Sequence, residues 1–260
     1  MARKPVKACF HAGGRETSLD FRRRRPKLRR SMASLAQLLA HHGSILLLDA
    51  SSSRVQAGLL RRGAPAIWHK ATGDAGQALF PLVEACLREG ELTLRDVGAQ
   101  VFCAGPGSML GVRIVAMVLR TWQALTPRPA YQFLSLTLLA HELARTNATR
   151  PGAVIADARR DTWHTVAVGA DGSVGPLQRL AAAELTALPH ALYQPAAFRA
   201  WSNAPRTTLD LPYDLAALFA HHGDTDLFSP APAPDAFQHE APEYKKWSAQ
   251  VHSAVTAPPR

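Results

Sequence analysis

Hydrophobic and polar positions follow strand-like and helix-like periods from about residue 44 onward. The run SILLLDA (44–50) is apolar until its polar end, which is typical of a strand buried on both faces. The following RVQAGLLRRGAPAIWHKA predicts two antiparallel strands around the turn at Arg62-Gly63. From Asp74 to Gly90 the period becomes that of a helix with one apolar face. The pattern therefore predicts a three-stranded meander followed by a helix.

The middle of the chain continues this alternation. AQVFCAG (99–105) predicts a second buried strand, and the glycine-rich turn after it leads into a helix over about 110–125 that Pro127 closes. AYQFLSLTLLAHELART (130–146) predicts another strand and helix. This order indicates an α/β fold, with helices packed on an open mixed sheet.

A second unit begins near residue 151. PGAVIADARRDTWHTVAVGADGSVGP predicts a strand to Asp157, a tight turn, a strand through Val168 and a turn at Asp171-Gly172. It resembles SILLLDASSSRVQAGLLRRG, so we interpret the two stretches as a weak internal repeat. We expect subdomains at 32–150 and 151–260. In the smaller second one, a helix over 213–222 ends at Gly223, and a Pro-rich tail wraps the surface.

Charge is concentrated at the N-terminus. The 260-residue chain carries a formal net charge of +10, and residues 1–31 hold eleven Lys and Arg against Glu16 and Asp20. This arm, around FRRRRPKLRR, allows RNA binding through phosphate neutralisation or a targeting peptide. It also allows an untethered tail, or an over-extended start before a natural beginning at Met32. Residues 32–260 are nearly neutral, with 19 basic and 18 acidic side chains.

Cysteine and histidine spacing limits the remaining chemistry. Cys9, Cys86 and Cys103 are odd in number and unpatterned, which suits a reducing cytoplasm. The sequence has no CxxC and no His pair four residues apart, so we expect no metal site. No apolar run reaches about 18 residues, so we expect no membrane span.

Three short motifs each allow a chemical and a structural interpretation. Asp49 followed by ASSS (50–53) suits a loop that faces a phosphate, or an Asp–Ser turn that bonds its own backbone. GPGSMLG (105–111), with Ser108 as helix N-cap, suits anion binding or a turn that aims a helix; it is neither a P-loop nor a nucleophile elbow. DARRD (157–161) suits a phosphate-side or acid/base cluster, or an ordinary surface turn.

The helix over 110–125 is apolar nearly all round. Val112, Val115, Ala116 and Leu119 form one stripe, and Ile114, Met117, Val118 and Leu125 form another. Such a helix must be covered on two sides, by the sheet and by a further helix or a partner chain. Together with the helix over 75–89 it presents an exposed apolar ridge or is buried within the domain, and periodicity leaves both open.

Several of these stretches together resemble the TsaB family. ILLLDASSSRVQAGLL, FPLVEACLREGELTLRDVGAQVFCAGPGSMLGVRI, SLTLLAHELA and GAVIADARRDTWHTVAV stand in that family's order and spacing over 44–168, with a fainter APEYKKW in the tail. The family's loop is G-P-G-S-F-T-G-V-R, and here Met109 and Leu110 replace Phe and Thr. The resemblance implies a duplicated actin/Hsp70-like (ASKHA) fold without catalysis of its own.

The resemblance also implies partners and roles. The two helices would contact TsaD, a transferase that binds ATP and metal, whereas this chain would need no cofactor. A TsaE-like ATPase and tRNA would be reached through that complex, in the cytoplasm, and the chain would homodimerise without its partner. The interface would comprise Leu79, Leu82, Val83, Cys86, Met109, Val112, Arg113, Val115, Ala116 and Leu119. Gly105, Pro106, Gly107, Ser108 and Gly111 would form a structural loop, and Asp49, Ser51 and Asp157 a vestigial phosphate side.

Three functions remain open at this level. The first is a non-catalytic scaffold that supports threonylcarbamoyl transfer to the tRNA adenosine next to the anticodon. The second is an ASKHA-type ATPase or small phosphotransferase that uses Asp49 and Asp157. The third is an RNA-binding accessory protein that acts through residues 1–31.

Overall fold

A computed structural model describes residues 32–147 and 150–238. The elements in chain order are α1 Leu35–His42, β1 Ser44–Asp49, β2 Arg54–Arg61, β3 Ile67–Thr72, α2 Ala75–Glu89, β4 Ala99–Cys103, α3 Met109–Leu125, β5 Ala130–Phe133, α4 Ser135–Thr146, β6 Gly152–Asp157, β7 Thr162–Val168, β8 Gln178–Ala181, α5 Ala182–Ala187, β9 Ala191–Pro195, β10 Thr208–Leu211, α6 Leu215–His221 and β11 Ser229–Pro230. In these described ranges no helix is long and apolar enough to cross a membrane.

The first sheet is built around β1. It has six strands in the order β11-β5-β4-β1-β2-β3; β1, β2 and β3 are antiparallel neighbours, and β4 and β5 run parallel to β1. All six residues of β1 are buried, and their side chains alternate between two cores. Ile45 and Leu47 pack in the core that contains α1 and α4, while Leu46 and Leu48 pack in the core that contains α2 and α3.

The second sheet repeats this topology. Its order is β10-β9-β6-β7-β8, with β6, β7 and β8 antiparallel and with β9 and β10 parallel to β6. The first three strands of each half form the meander and the next two extend the sheet on the other side of the first strand. The weak internal repeat in the sequence is thus confirmed as a structural duplication, and the fold has the predicted α/β class with two mixed sheets and packed helices.

The two halves share a core. Helix α4 contacts β6 and β7 of the second sheet as well as lying in the core of the first half. The β10–α6 connection is tied to the first sheet, because the backbone N–H of Leu215 donates to Gln56 Oε1 at 2.9 Å. Lys70 also pairs with Asp214, with 2.6 Å between Nζ and Oδ2. The cleft between the halves is therefore crossed by direct contacts.

The sequence analysis missed several elements. Helix α1 begins with a capping box in which Ser34 and Gln37 exchange hydrogen bonds at 3.0 and 3.2 Å. Strands β8 and β10 are short and largely exposed, so they carry no clear hydrophobic period. The predicted helix over 213–222 is real but shorter: it begins after its N-cap, Asp214, and ends at His221.

The Pro-rich tail corrects another expectation. Part of it enters the fold rather than only wrapping the surface, because β11 pairs antiparallel with β5 at the edge of the first sheet. Ala231 and Ala236 are buried, and the backbone N–H of Phe237 donates to Ala104 O at 2.7 Å. The remainder of the tail, and the predicted basic arm 1–31, lie outside the described residues.

Candidate functional site

The glycine-rich loop lies directly on the segment that follows β1. The backbone N–H of Ser108 donates to Ser51 O at 2.6 Å. A Cβ atom on Gly107 would lie 2.2 Å from Ser51 O, and one on Gly111 would lie 2.1 Å from Ala50 O. Gly107 also has a φ of +151°, which disfavours any side chain. Only glycine at these two positions allows such a close approach.

Other polar groups of the loop are satisfied within the protein. Ser108 caps α3 by accepting a hydrogen bond from the N–H of Gly111 at 3.4 Å. From α4, the Ser135 N–H donates to Gly105 O at 3.0 Å, and the Ser135 hydroxyl donates to Pro106 O at 2.6 Å. These contacts favour the interpretation that the loop aims α3, which follows it immediately.

Asp49 and Ser51 lie in the interior. Neither side chain is exposed, and Asp49 Oδ1 accepts from the Ser51 N–H at 2.8 Å, which is the Asp–Ser turn allowed by the sequence. The Ser51 hydroxyl donates to the Tyr213 hydroxyl at 3.3 Å, and that hydroxyl donates to Cys103 Sγ at 3.8 Å. Tyr213 belongs to the second half, and its buried side chain closes the space beside Asp49.

Burial controls the protonation of this cluster. Desolvation raises the pKa of Asp49 from its ordinary value, against the lowering effect of the Ser51 hydrogen bonds. Burial likewise raises the pKa of Tyr213 and of the Cys103 thiol, with a further contribution from the nearby Asp49 charge. The low-dielectric surroundings thus favour neutral forms of all three groups. Sequence reasoning missed Tyr213, because no pattern near it pointed to the β1 loop.

Asp157, the counterpart of Asp49 in the second half, holds two loops together. Its Oδ1 accepts from the N–H of Arg159 at 2.6 Å. Its Oδ2 accepts from the N–H groups of Trp201 and Ser202 at 2.6 and 2.7 Å. Both carboxylate oxygens therefore accept main-chain hydrogen bonds.

The structure divides the predicted interface residues into two sets. Eight of the ten are buried in the protein's own core: Leu79, Leu82, Val83, Cys86, Val112, Val115, Ala116 and Leu119. They pack α2 and α3 onto the sheet, so they are not available as surface contacts in this structure. Met109 and Arg113 are the two exposed members. The assignment of this region to an interface stays a prediction, but of the predicted residues only Met109 and Arg113 are placed to contact a partner.

The outward face of the same two helices carries exposed apolar side chains. We call this surface the α2–α3 ridge: Phe80, Met109, Leu110, Met117 and Leu125, which are 53%, 42%, 66%, 62% and 78% exposed. Phe80 of α2 packs edge-on against Trp122 of α3, with ring centroids 6.4 Å apart. Leu110 and Met117 are seven residues apart and share one face of α3. Met117 and Leu125 belong to the second stripe predicted from the sequence.

The described residues contain no group of three or more His, Cys, Asp or Glu side chains placed to hold a metal ion. The expectation that ATP and metal are bound by the partner stays a prediction.

Comparison with known proteins shows what the chain is similar to. Residues 70–194 match the model of the TsaD family, described as tRNA N6-adenosine threonylcarbamoyltransferase. Among solved structures, YeaZ from Pseudomonas aeruginosa is 23% identical, covering 75% of this chain and 99% of that chain, with a TM-score of 0.55. The chain is thus similar to the TsaD family over nearly half of its length, and to YeaZ in its fold. These similarities also confirm the resemblance found in the sequence.

One more solved structure is similar to the chain over part of its length. A second Pseudomonas aeruginosa structure, described as an uncharacterized protein with similarity to peptidase YEAZ, is 27% identical. It covers 59% of this chain and 75% of that chain, with a TM-score of 0.49. No curated protein matches the chain. At the level of function, the TsaD-family match and the YeaZ fold support a tRNA-modification family.

Proposed function

We propose that this TsaB-family chain is a non-catalytic scaffold subunit that binds a TsaD-type transferase through the α2–α3 ridge. In this role it supports threonylcarbamoylation of the tRNA adenosine next to the anticodon. The observation that carries the proposal is the ridge itself, where five large apolar side chains are 42–78% exposed on two adjacent helices. A contiguous apolar surface of this kind is typical of a protein interface.

The energetics of the ridge suit a stable complex. Burying a large apolar side chain contributes about 1.5–3 kcal/mol before the costs of association are subtracted. Phe80, Leu110 and Met117 are 53%, 66% and 62% exposed, so each has more than half of that contribution still available. Leu79 and Leu119, buried beneath them, fix the two helices on the sheet. The ridge is therefore preorganised, which limits the entropy lost on binding.

The interior of the cleft supports the non-catalytic part of the proposal. Asp49 is buried, and Tyr213 lies against Ser51, the first serine after the strand. Phosphoryl transfer requires a carboxylate that can meet a metal-bound phosphate, whereas the Asp49 carboxyl is sealed from solvent here. We expect ATP and metal on the transferase, and a TsaE-like ATPase and tRNA to join through it. Without the transferase, we expect two copies of this chain to pair through the same ridge.

The test is co-purification with the TsaD-type transferase of the same organism. Met117→Glu places a charge at the centre of the ridge, where binding would desolvate it without a partner charge. We expect a folded protein that no longer forms a one-to-one complex. The matched control is Leu209→Glu, which changes a 53% exposed leucine on β10 of the second half and should leave the complex intact.

Two results would contradict the proposal. One is Met117→Glu binding the transferase as tightly as the unaltered chain. The other is saturable ATP binding by the isolated chain that Asp49→Ala abolishes, because this result would point to an ATPase or phosphotransferase.

A further inference from the structure

An exposed tryptophan on the second half is flanked by two guanidinium groups. Trp201 is 62% exposed, and the Cζ atoms of Arg159 and Arg199 lie 4.8 and 5.4 Å from its ring centroid. Both distances fall in the range of cation–π attraction. We infer that an aromatic–arginine patch, comprising Arg159, Arg160, Arg199 and Trp201, binds an unpaired nucleotide of an RNA strand.

The Asp157 carboxylate builds the patch from two separate loops. It accepts hydrogen bonds from the N–H of Arg159 in the β6–β7 turn and from the N–H groups of Trp201 and Ser202. These bonds bring the two loops together at the end of β6. The same bonds leave the Arg159 guanidinium and the Trp201 ring on the surface.

The β6–β7 turn displays its arginines at a conformational cost. Arg159, Arg160 and Asp161 have φ values of 65°, 52° and 54°, in the left-handed region that residues other than glycine rarely adopt. Such backbone persists only where surrounding contacts determine it, and it is concentrated at binding sites. Here the Asp157 bond to Arg159 and the bond from the Ala158 N–H to Thr162 O, at 2.9 Å, hold the turn.

The charge of this surface favours an anion. Arg179 supports the turn from behind, because its Nε donates to Thr162 Oγ1 at 2.8 Å. Together with Arg179, the patch has four arginines, and the turn that carries two of them has the carboxylates of Asp157 and Asp161, so positive charge is in excess. Within residues 32–147 and 150–238, no salt bridge involves the patch arginines. Their charges are available to phosphate.

A nucleotide in a single strand matches both features. Its base offers a flat face to stack on the indole or on a guanidinium plane, and its phosphate pairs with arginine. A duplex keeps its bases stacked internally, so it would use the charge but not the ring. RNA is the nucleic acid indicated by the tRNA-modification family. The inference does not depend on the scaffold role.

The experiment measures binding of a labelled single-stranded RNA oligonucleotide to the full chain by fluorescence anisotropy at several salt concentrations. Base–aromatic stacking predicts that Trp201→Ala weakens binding by about 5- to 150-fold. The salt dependence should stay unchanged, and Trp201→Tyr should keep most of the affinity. Replacing Arg159 and Arg199 by Gln should reduce the slope of log K against log salt by about 1.4. The arm 1–31 is the same in every variant, so the differences belong to the patch.

The control variant is Arg88→Gln, which removes an exposed arginine on α2, far along the chain from the patch. A loss of affinity equal to that of Arg199→Gln would overturn the inference, because it would show binding by general charge. Unchanged affinity in Trp201→Ala would also overturn it. So would AMP binding as tightly as the strand, or a fully paired RNA showing the same loss in Trp201→Ala. The transferase is absent from this assay, so failure here leaves the co-purification result unaffected.

Discussion

Leu119 and Met117 of α3 lie two residues apart, and substitution by alanine should destabilise the protein strongly at the first and hardly at all at the second. Leu119 is fully buried between α3 and the sheet, whereas Met117 is 62% exposed. For Leu119→Ala the lost burial and the cavity left behind together cost about 2.7–5 kcal/mol. Complete burial favours the upper part of that range. For Met117→Ala the cost should stay within about 0.5 kcal/mol, since exposed positions contribute little and alanine is a strong helix former.

Equilibrium unfolding in urea, followed by circular dichroism, measures both values. A domain of this kind has a total stability of about 5–15 kcal/mol, so the Leu119→Ala midpoint should fall by a large fraction. The reasoning fails if Leu119→Ala costs less than about 1 kcal/mol, or if Met117→Ala costs as much as Leu119→Ala. Either result would mean that α3 presents a different face to the sheet, and the surface proposed for the transferase would then be misplaced.

Two further substitutions test the interior of the cleft. Gly111→Ala should lower the free energy of unfolding by about 1–3 kcal/mol, because its Cβ would lie 2.1 Å from Ala50 O; a melting temperature equal to that of the unaltered chain would contradict the packing. Burial raises the pKa of the Asp49 carboxyl above its ordinary 3.8, so the folded state binds the carboxyl proton more tightly than the unfolded state does. The stability that this proton contributes is therefore lost as pH rises from about 4 through the folded pKa. Asp49→Asn should remove that loss and be the more stable protein at neutral pH; a stability difference from the unaltered chain that does not vary with pH would refute it.

The first half was more predictable from the sequence than the second for a physical reason. Strand β1 is buried on both faces, so it gives a continuous apolar run, and α2 has an apolar face, so it gives a clear helical period. Strand β10 has two exposed residues among four, and α5 has one buried residue among six, so neither carries a period that a sequence shows. Their positions follow from the duplicated topology rather than from local pattern.

The candidate site, too, has residues that the sequence indicated and residues that it did not. The glycine positions 107 and 111 were recognisable, since a close approach leaves no alternative to glycine. The outward face of α3 was not, because a helix that is apolar nearly all round gives no signal of which stripe faces the sheet. Tyr213 and Trp201 were missed because their roles depend on loops brought together in space. Asp157 was identified, yet its bonds to Trp201 and Ser202 are not visible in the sequence.

The buried contacts around Ser51 hold α3 in place beneath the α2–α3 ridge. Ser51 is bound on two sides: its carbonyl oxygen accepts from Ser108 at the start of α3, and its hydroxyl donates to Tyr213 of the second half. The segment after β1, which the sequence allowed as a phosphate-facing loop, is thus used here to fix α3 and to join the halves. A helix held so firmly from beneath presents its outer side chains in one orientation. The closed interior and the position of the ridge are therefore two consequences of the same packing. A substitution that opens the cleft at Ser51 should accordingly also weaken the partner binding proposed for the ridge.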